Sequence, residues 1–153
     1  MTLRDATLAD LDQLVALGAR FRATTAYADL IEDNPGQMRQ TAAQLITQAN
    51  GVIVVSEDRG GLVTGMIGLL CFPHHLSGAL TVGEVMWYVT PEARGGGVRL
   101  LKAAEQWARN QHATTIQMIQ PSGTDIGVLY ERFGYQAIEV AWSKRLIPMV
   151  AAA

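Results

Sequence analysis

The sequence predicts an α+β domain in which a mixed, mainly antiparallel sheet is flanked by helices. Three observations carry that expectation. Val52-Ile53-Val54-Val55 opens a series of three strand-like segments parted by short turns. Gly97 to Ala108 sets apolar residues on one side of a helix. The full order is strand, two helices, three strands, helix, strand, helix, strand, with no repeat or linker dividing it.

Each element has its own signal. Thr2 to Thr7 reads as a first strand, and Thr7-Leu8-Ala9-Asp10 resembles a capping box with Asp in the place of Glu. Leu8, Leu11, Leu14, Val15 and Leu17 supply the apolar stripe of a helix running toward Arg22. Tyr27 to Gly36 reads as a mixed loop, and Pro35 is placed to open a second, weakly amphipathic helix through Gln48. From Gly51 the period changes. The β-branched run, the turn Asp58-Arg59-Gly60-Gly61 and the segment Leu62 to Phe72 make a hairpin, and Ala79 to Val89 adds a third strand.

Leu100, Leu101, Ala104, Trp107 and Ala108 then share one side of a helix from Val98 to Gln111. Thr114 to Ile119 returns to strand. A short helix over Asp125 to Phe133 is expected to start at Thr124 and to stop at Gly134. Tyr135 to Ile147 is expected to contribute the last one or two strands. The prediction is one domain over residues 1–147, with residues 148–153 fraying as a tail.

Composition narrows the function. Of the 153 residues 49% are hydrophobic and 17% charged, which suits a self-sufficient core, and the net charge of −2 gives no broad basic field for a nucleic-acid partner. No stretch reaches the ~20 apolar residues that span a bilayer. The start, Met1-Thr2-Leu3-Arg4-Asp5, lacks the layout of a signal peptide, so a cytoplasmic address without membrane attachment is expected. Cys71, the one cysteine, sits in Leu69-Leu70-Cys71-Phe72 and reads as a buried structural thiol in a reducing compartment. His74 and His75 are adjacent, so their side chains diverge on extended backbone. They read as a solvated loop rather than ligands of one metal, and no metal is expected.

The most informative segment runs from Glu84 to Leu101, where a strand enters a glycine loop and then a helix. Glycines allow positive φ and close backbone approach, and the free amides at a helix start, with the dipole behind them, favour an anion. Three glycines alone could form only a flexible turn. Arg94 before them and Arg99 in the first helical turn add positive charge where an anion would sit. A dinucleotide site is disfavoured, because the preceding strands are joined by short turns and lack a βαβ crossover.

With these residues the chain resembles the GNAT superfamily of acyl-CoA-dependent N-acetyltransferases. Val89-Thr90-Pro91-Glu92-Ala93-Arg94-Gly95 matches that family's strand end and the opening of its pyrophosphate loop. Leu129-Tyr130-Glu131-Arg132-Phe133-Gly134-Tyr135 matches its tyrosine-bearing short helix. The resemblance implies cofactor contacts from Tyr88, Val89, Arg94, Gly95, Gly96, Gly97, Val98 and Arg99. Two loop registers fit. Without a gap Arg99 replaces the final small residue of the motif, and with a two-residue deletion Gly97 becomes its final glycine. The deletion is preferred, since it keeps a bulky side chain off the pyrophosphate. Where the family often has an asparagine before the short helix, this chain has Gln120-Pro121-Ser122-Gly123-Thr124, in which Ser122 or Thr124 reads better as a helix cap.

The resemblance also implies direct attack by an amine on acetyl-CoA, a sheet splayed beside the strand ending at Val89, and the amide near Val89 as oxyanion donor. Glu84 is the candidate base, the alternative being an exposed strand carboxylate or a contact to substrate charge. Tyr130 is the candidate acid, its phenol having an ordinary pKa of about 10. Acceptor contacts are expected from Phe21, Tyr27 and Glu32, where Asp29, Glu32 and Asp33 favour a cationic amine of a small molecule or peptide. Two other readings stay open: an acyl-CoA-binding regulatory module without transfer, and a protein N-acetyltransferase. A homodimer is compatible with either.

Overall fold

A computed structural model describes residues 1–150; the expected fraying of residues 151–153 lies outside the described residues. Five strands form one sheet in the order β1-β2-β3-β4-β5. They are β1 (Thr2–Asp5), β2 (Gly51–Glu57), β3 (Val63–Pro73), β4 (Leu80–Val89) and β5 (Thr115–Gln117). The first four pair antiparallel and β5 joins β4 in parallel, as a return through a helix requires. The helices are α1 (Leu11–Ala23), α2 (Tyr27–Leu30), α3 (Pro35–Thr47), α4 (Gly96–Asn110) and α5 (Gly127–Arg132).

The central strands are apolar on both faces because helices cover both. Leu14, Leu17, Ala42 and Leu45 of α1 and α3 pack on Ile53, Val55 and Met66. On the other face Leu100, Ala104 and Ala108 of α4 meet Val52, Val54, Ile67, Leu69 and Val82. Burying a side chain of this size is worth about 1.5–3 kcal/mol, so these two layers supply the main drive to fold. Cys71 is part of the second layer and is buried, as its apolar neighbours predict.

The first turn departs in detail from the sequence reading. Leu8–Asp10 is a 3₁₀ turn, and α1 starts only at Leu11. Asp10 still acts as the box acid, since its Oδ2 accepts the Thr7 amide at 2.7 Å. Arg4 of β1 donates to both Asp10 oxygens, at 2.7 and 2.8 Å, and to Glu57 through Nε at 2.8 Å. The expected loop Tyr27 to Gly36 contains the single turn of α2, held by the Arg22 guanidinium donating to the carbonyls of Ala28 and Ile31.

The expected strands over Tyr135 to Ile147 do not form. Among the described residues none after Gln117 joins the sheet. The segment is tied at its two ends instead: the Tyr135 amide donates to the Tyr130 carbonyl, and Arg145 donates to the Leu30 carbonyl and to Glu32. Between those anchors the backbone makes no ladder bonds, and a strand cannot exist without a partner.

Candidate active site

β4 and β5 pair only at Thr81–Thr115, Val82–Ile116 and Gly83–Gln117. β4 then continues alone to Val89, so its edge from Glu84 onward faces a cleft with its backbone groups free on that side. The splay implied by the resemblance is therefore present.

A bulge decides what points into this cleft. β3 and β4 pair Gly68 with Met86 and Leu69 with Glu84, leaving Val85 as the extra residue. Side chains alternate across a strand, and one inserted residue reverses the parity. Trp87 and Val89 pack on the α4 face, while Met86 and Tyr88 pack on the α1/α3 face. Without the bulge Glu84 would join Met86. With it, Glu84 lies opposite Leu69 on the α4 face, the side that carries α5.

There Glu84 and Tyr130 converge on one peptide. The Glu84 Oε2 accepts the Ile119 amide at 3.0 Å, and the Tyr130 hydroxyl donates to the Ile119 carbonyl at 2.8 Å. Ile119 stands two residues beyond the last β4–β5 pair, so the clasp closes the apex of the splay. Burial pushes the Glu84 carboxyl up to about 7, against the opposing pull of the Ile119 amide and of the neighbouring Tyr130 hydroxyl. Burial, followed by the neighbouring Glu84 charge, raises the Tyr130 phenol well above its ordinary value. Its side of the pair therefore stays protonated. Tyr130 is 8% exposed, and its ring packs at a tilt 6.0 Å from Trp87 and 5.5 Å from Tyr135.

The glycine loop opens α4. Gly95 is the N-cap at φ +94°, in the left-handed region where only glycine is unstrained, and it has no side chain to cap the first turn. The amides behind it are left for an outside acceptor. Gly96 is buried under the Met1 side chain, and a Cβ on Gly97 would lie 3.2 Å from the Trp87 ring. Gly97 thus lets α4 press against β4. Val98 follows in the first turn, Arg94 is exposed before it, and exposed Arg99 reaches back to the Met1 carbonyl at 3.0 Å.

Other expected residues are placed elsewhere. Tyr88 turns its ring to the α1/α3 face, 6.4 Å from Phe21 and under the Arg20 guanidinium, so only its backbone borders the cleft. Phe21 lies 5.8 Å from Tyr27 in the same cluster, away from the Glu84 side. Glu32 is engaged by Arg145 at 2.9 Å. Thr124 does not cap α5, which begins at Gly127; its hydroxyl donates to the Pro121 carbonyl, while Gln120 holds the Thr124 carbonyl. His74 and His75, expected to diverge on extended backbone, instead stack on each other at 4.7 Å, because the strand ends at Pro73 and the two residues enter a turn closed by the Ser77 and Gly78 amides on the His74 carbonyl. Among the described residues no three acidic, histidine or cysteine side chains converge as for a metal. No helix there is long and apolar enough to cross a membrane.

Residues 49–137 match the family model for the acetyltransferase (GNAT) domain, more than half of the chain. The chain belongs to the GNAT family. Solved structures agree on the fold. A probable acetyltransferase aligns over 99% of this chain and 100% of its own at 23% identity, with a TM-score of 0.74. A putative acetyl transferase from Pyrococcus furiosus aligns over 95% and 99% at 19% identity, with a TM-score of 0.75. An aminoglycoside antibiotic 6′-N-acetyltransferase from Acinetobacter haemolyticus aligns over 96% and 100% at 19% identity, with a TM-score of 0.71. No curated protein sequence matches the chain.

GNAT acetyltransferases use acetyl-CoA as cosubstrate, and three features of this chain fit such a group. The β4 edge is free from Glu84 to Val89, the first turn of α4 is uncapped, and the buried Trp87 indole N–H has no partner. Sequence reasoning missed Trp87 and Ile119. Trp87 could have been found by its place one residue before Tyr88 on the same strand, but Ile119 acts through its backbone and carries no side-chain signal.

Proposed function

We propose that this GNAT domain transfers an acetyl group from acetyl-CoA to a primary amine by direct attack, with Glu84 as base and Tyr130 as acid. The observation that supports the reading best is the pair of side chains clasping the Ile119 peptide where β4 parts from β5. Acetyl-CoA supplies the activated thioester carbonyl. The amides behind Gly95 and the charges of Arg94 and Arg99 would hold its phosphates, and the open β4 edge at Tyr88 and Val89 its pantetheine backbone, with the Val89 amide as oxyanion donor.

Glu84, with its carboxyl near 7, is half ionised at neutral pH, the condition in which a carboxylate accepts an amine proton most usefully. Tyr130 keeps its proton because its pKa is raised, and gives it to the departing sulfur on exchanging its bond to the Ile119 carbonyl. The two transfers balance, one proton taken at nitrogen and one delivered at sulfur. Asp29 and Asp33 are exposed beside α2 and favour a cationic acceptor. Glu32 is already paired with Arg145, and Phe21 and Tyr27 lie together on the α1/α3 face away from Glu84, so they would bound the acceptor only beyond its reacting nitrogen.

The test is thiol release from acetyl-CoA with a panel of small amines and peptides, beside calorimetric binding of acetyl-CoA. Amine-dependent thiol release supports the reading, with mass spectrometry of the products separating small amines from protein amino groups. Binding of acetyl-CoA without release for any amine would leave a regulatory module.

A further inference from the structure

Buried polar side-chain atoms in folded proteins almost always find a partner. Among the described residues three lack one: the Trp87 Nε1, the Tyr135 hydroxyl and the Arg145 Nε. Arg145 spends its other two nitrogens on the Leu30 carbonyl and on Glu32, and the Tyr135 phenol lies beside the Glu105 carboxylate. Trp87 differs, because the indole N–H is its single polar side-chain group and no described residue engages it.

Its location gives the idle donor a use. Trp87 stands on β4 between Glu84 and Val89, at most about 10 Å along the strand from Glu84. Its ring packs on the α4 face, and the edge next to the N–H is turned to the start of α4: a Cβ on Gly97 would lie 3.2 Å from Cζ2 and 3.8 Å from Cε2, the carbon bonded to Nε1. The Tyr130 ring packs against the indole as well, with centroids 6.0 Å apart. The donor is thus placed between the uncapped amides of α4 and the Glu84–Tyr130 apex.

We infer that the Trp87 indole N–H is a cofactor donor, binding an oxygen of the pantetheine arm midway between the phosphates and the thioester. This rests on the proposed use of acetyl-CoA. With the pyrophosphate at the first turn of α4 and the thioester at the apex, the stretch of cofactor that passes Trp87 is the pantetheine arm. That arm carries amide carbonyls and a hydroxyl, which are acceptors for a lone N–H, and a bond made away from water is stronger than one at the surface. The N–H is covered while Tyr130 stays on the Ile119 carbonyl. Tyr130 must leave that carbonyl to reach the departing sulfur, and the same movement of its ring opens the indole edge to the arm. An N–H kept without a partner in the fold has no internal bond to break when the ligand arrives.

Proton–nitrogen correlation spectra of the full chain give one indole signal for each of Trp87, Trp107 and Trp142, and Trp87→Phe assigns the first by its loss. On saturation with acetyl-CoA that signal should move downfield, as a hydrogen-bonded N–H does. ADP, which has the pyrophosphate but no pantetheine, should leave it in place even after the Gly96 and Gly97 amide signals have stopped moving. By calorimetry Trp87→Phe should weaken acetyl-CoA binding about tenfold and ADP binding less than about twofold. A Trp87 signal unmoved by bound acetyl-CoA would overturn the inference, as would one that ADP also shifts. Equal losses for the two ligands would do so too, since Trp87 would then act by supporting Gly97. Loop signals that ADP does not move, or a parent that does not bind acetyl-CoA, would remove the proposed cofactor placement, and this inference with it.

Discussion

Glu84 and Tyr130 hold opposite ends of one peptide: the carboxylate takes the Ile119 N–H and the phenol donates to its carbonyl. Neither side chain could do this from a regular sheet. The Val85 bulge turns Glu84 to the α5 side, and the end of pairing at Gly83–Gln117 frees Ile119 from the ladder. A carboxylate, a phenol and an exposed strand edge are thereby brought to one apex.

The carboxyl near 7 sets the acid limb of the pH profile. In the parent, kcat/KM should rise as pH passes through about 7, because the base form of Glu84 accumulates there. Glu84→Gln keeps an oxygen for the Ile119 amide but cannot accept a proton, so it should lose about a hundredfold near pH 7.5 and lack that limb. Below 6 the two proteins should converge, since the parent's carboxyl is then protonated as well. Identical profiles for every accepted amine would remove Glu84 from the reaction.

Tyr130→Phe retains the ring packed on Trp87 and Tyr135 and removes the donor to Ile119. Turnover should fall by about a hundredfold while acetyl-CoA affinity changes less than about threefold. The lost hydrogen bond should also cost about 1 kcal/mol of stability, readable by urea denaturation. Equal turnover in the two proteins across pH would show that the phenol is purely structural.

Much of this arrangement was legible in the sequence, and the exceptions have physical causes. Helix stripes and β-branched runs located the main elements, because burial on one face forces that periodicity. The apex was half legible: Glu84 and Tyr130 stand out as residue types, but alternation along Gly83-Glu84-Val85-Met86 looks the same whether or not one residue bulges. Ile119 contributes only backbone atoms. The strand pattern of Tyr135 to Ile147 is genuine, yet periodicity reports that a segment suits a sheet and not whether its own chain has an edge within reach. Tyr88 shows the same limit, since its neighbours in sequence could not say which face its ring takes.

The glycine loop separates backbone approach from charge. Gly97→Val must push the Trp87 ring or the start of α4 aside, because even a Cβ would come within 3.2 Å of that ring. Acetyl-CoA binding by calorimetry should be crippled. Arg99→Ala gives up a charge whose guanidinium rests on the Met1 carbonyl, and should cost only about 1 to 3 kcal/mol. Tighter binding by Arg99→Ala than by the parent would instead put position 99 against the phosphates and reject Gly97 as the last glycine of the motif.

The last prediction concerns Asp10, which is 5% exposed and joins three elements through Arg4, the Thr7 amide and, by way of Arg4, Glu57. Arg4 first, and then the Thr7 amide, hold its carboxyl well below the ordinary value of 3.8, against the effect of burial. A folded-state pKa that is depressed stabilises the fold wherever the group is ionised in both states, so the contribution is complete above about 4 and fades as pH falls toward the folded value. Asp10→Asn keeps the shape but removes one of the two carboxylates on the partly exposed Arg4, which retains Glu57, and weakens the charge-assisted bonds that Asp10 accepts from Arg4 and the Thr7 amide; it should cost about 2 to 4 kcal/mol at neutral pH. At about 2 to 4 °C per kcal/mol for a chain of this size, the melting temperature should drop by roughly 5 to 15 °C. The gap between parent and variant should hold constant from pH 8 to pH 5 and narrow below pH 4, as the Asp10 carboxyl of the unfolded chain takes up a proton while the folded one stays ionised. A gap as wide at pH 3 as at pH 7 would mean that Asp10 stabilises through packing and not through its charge.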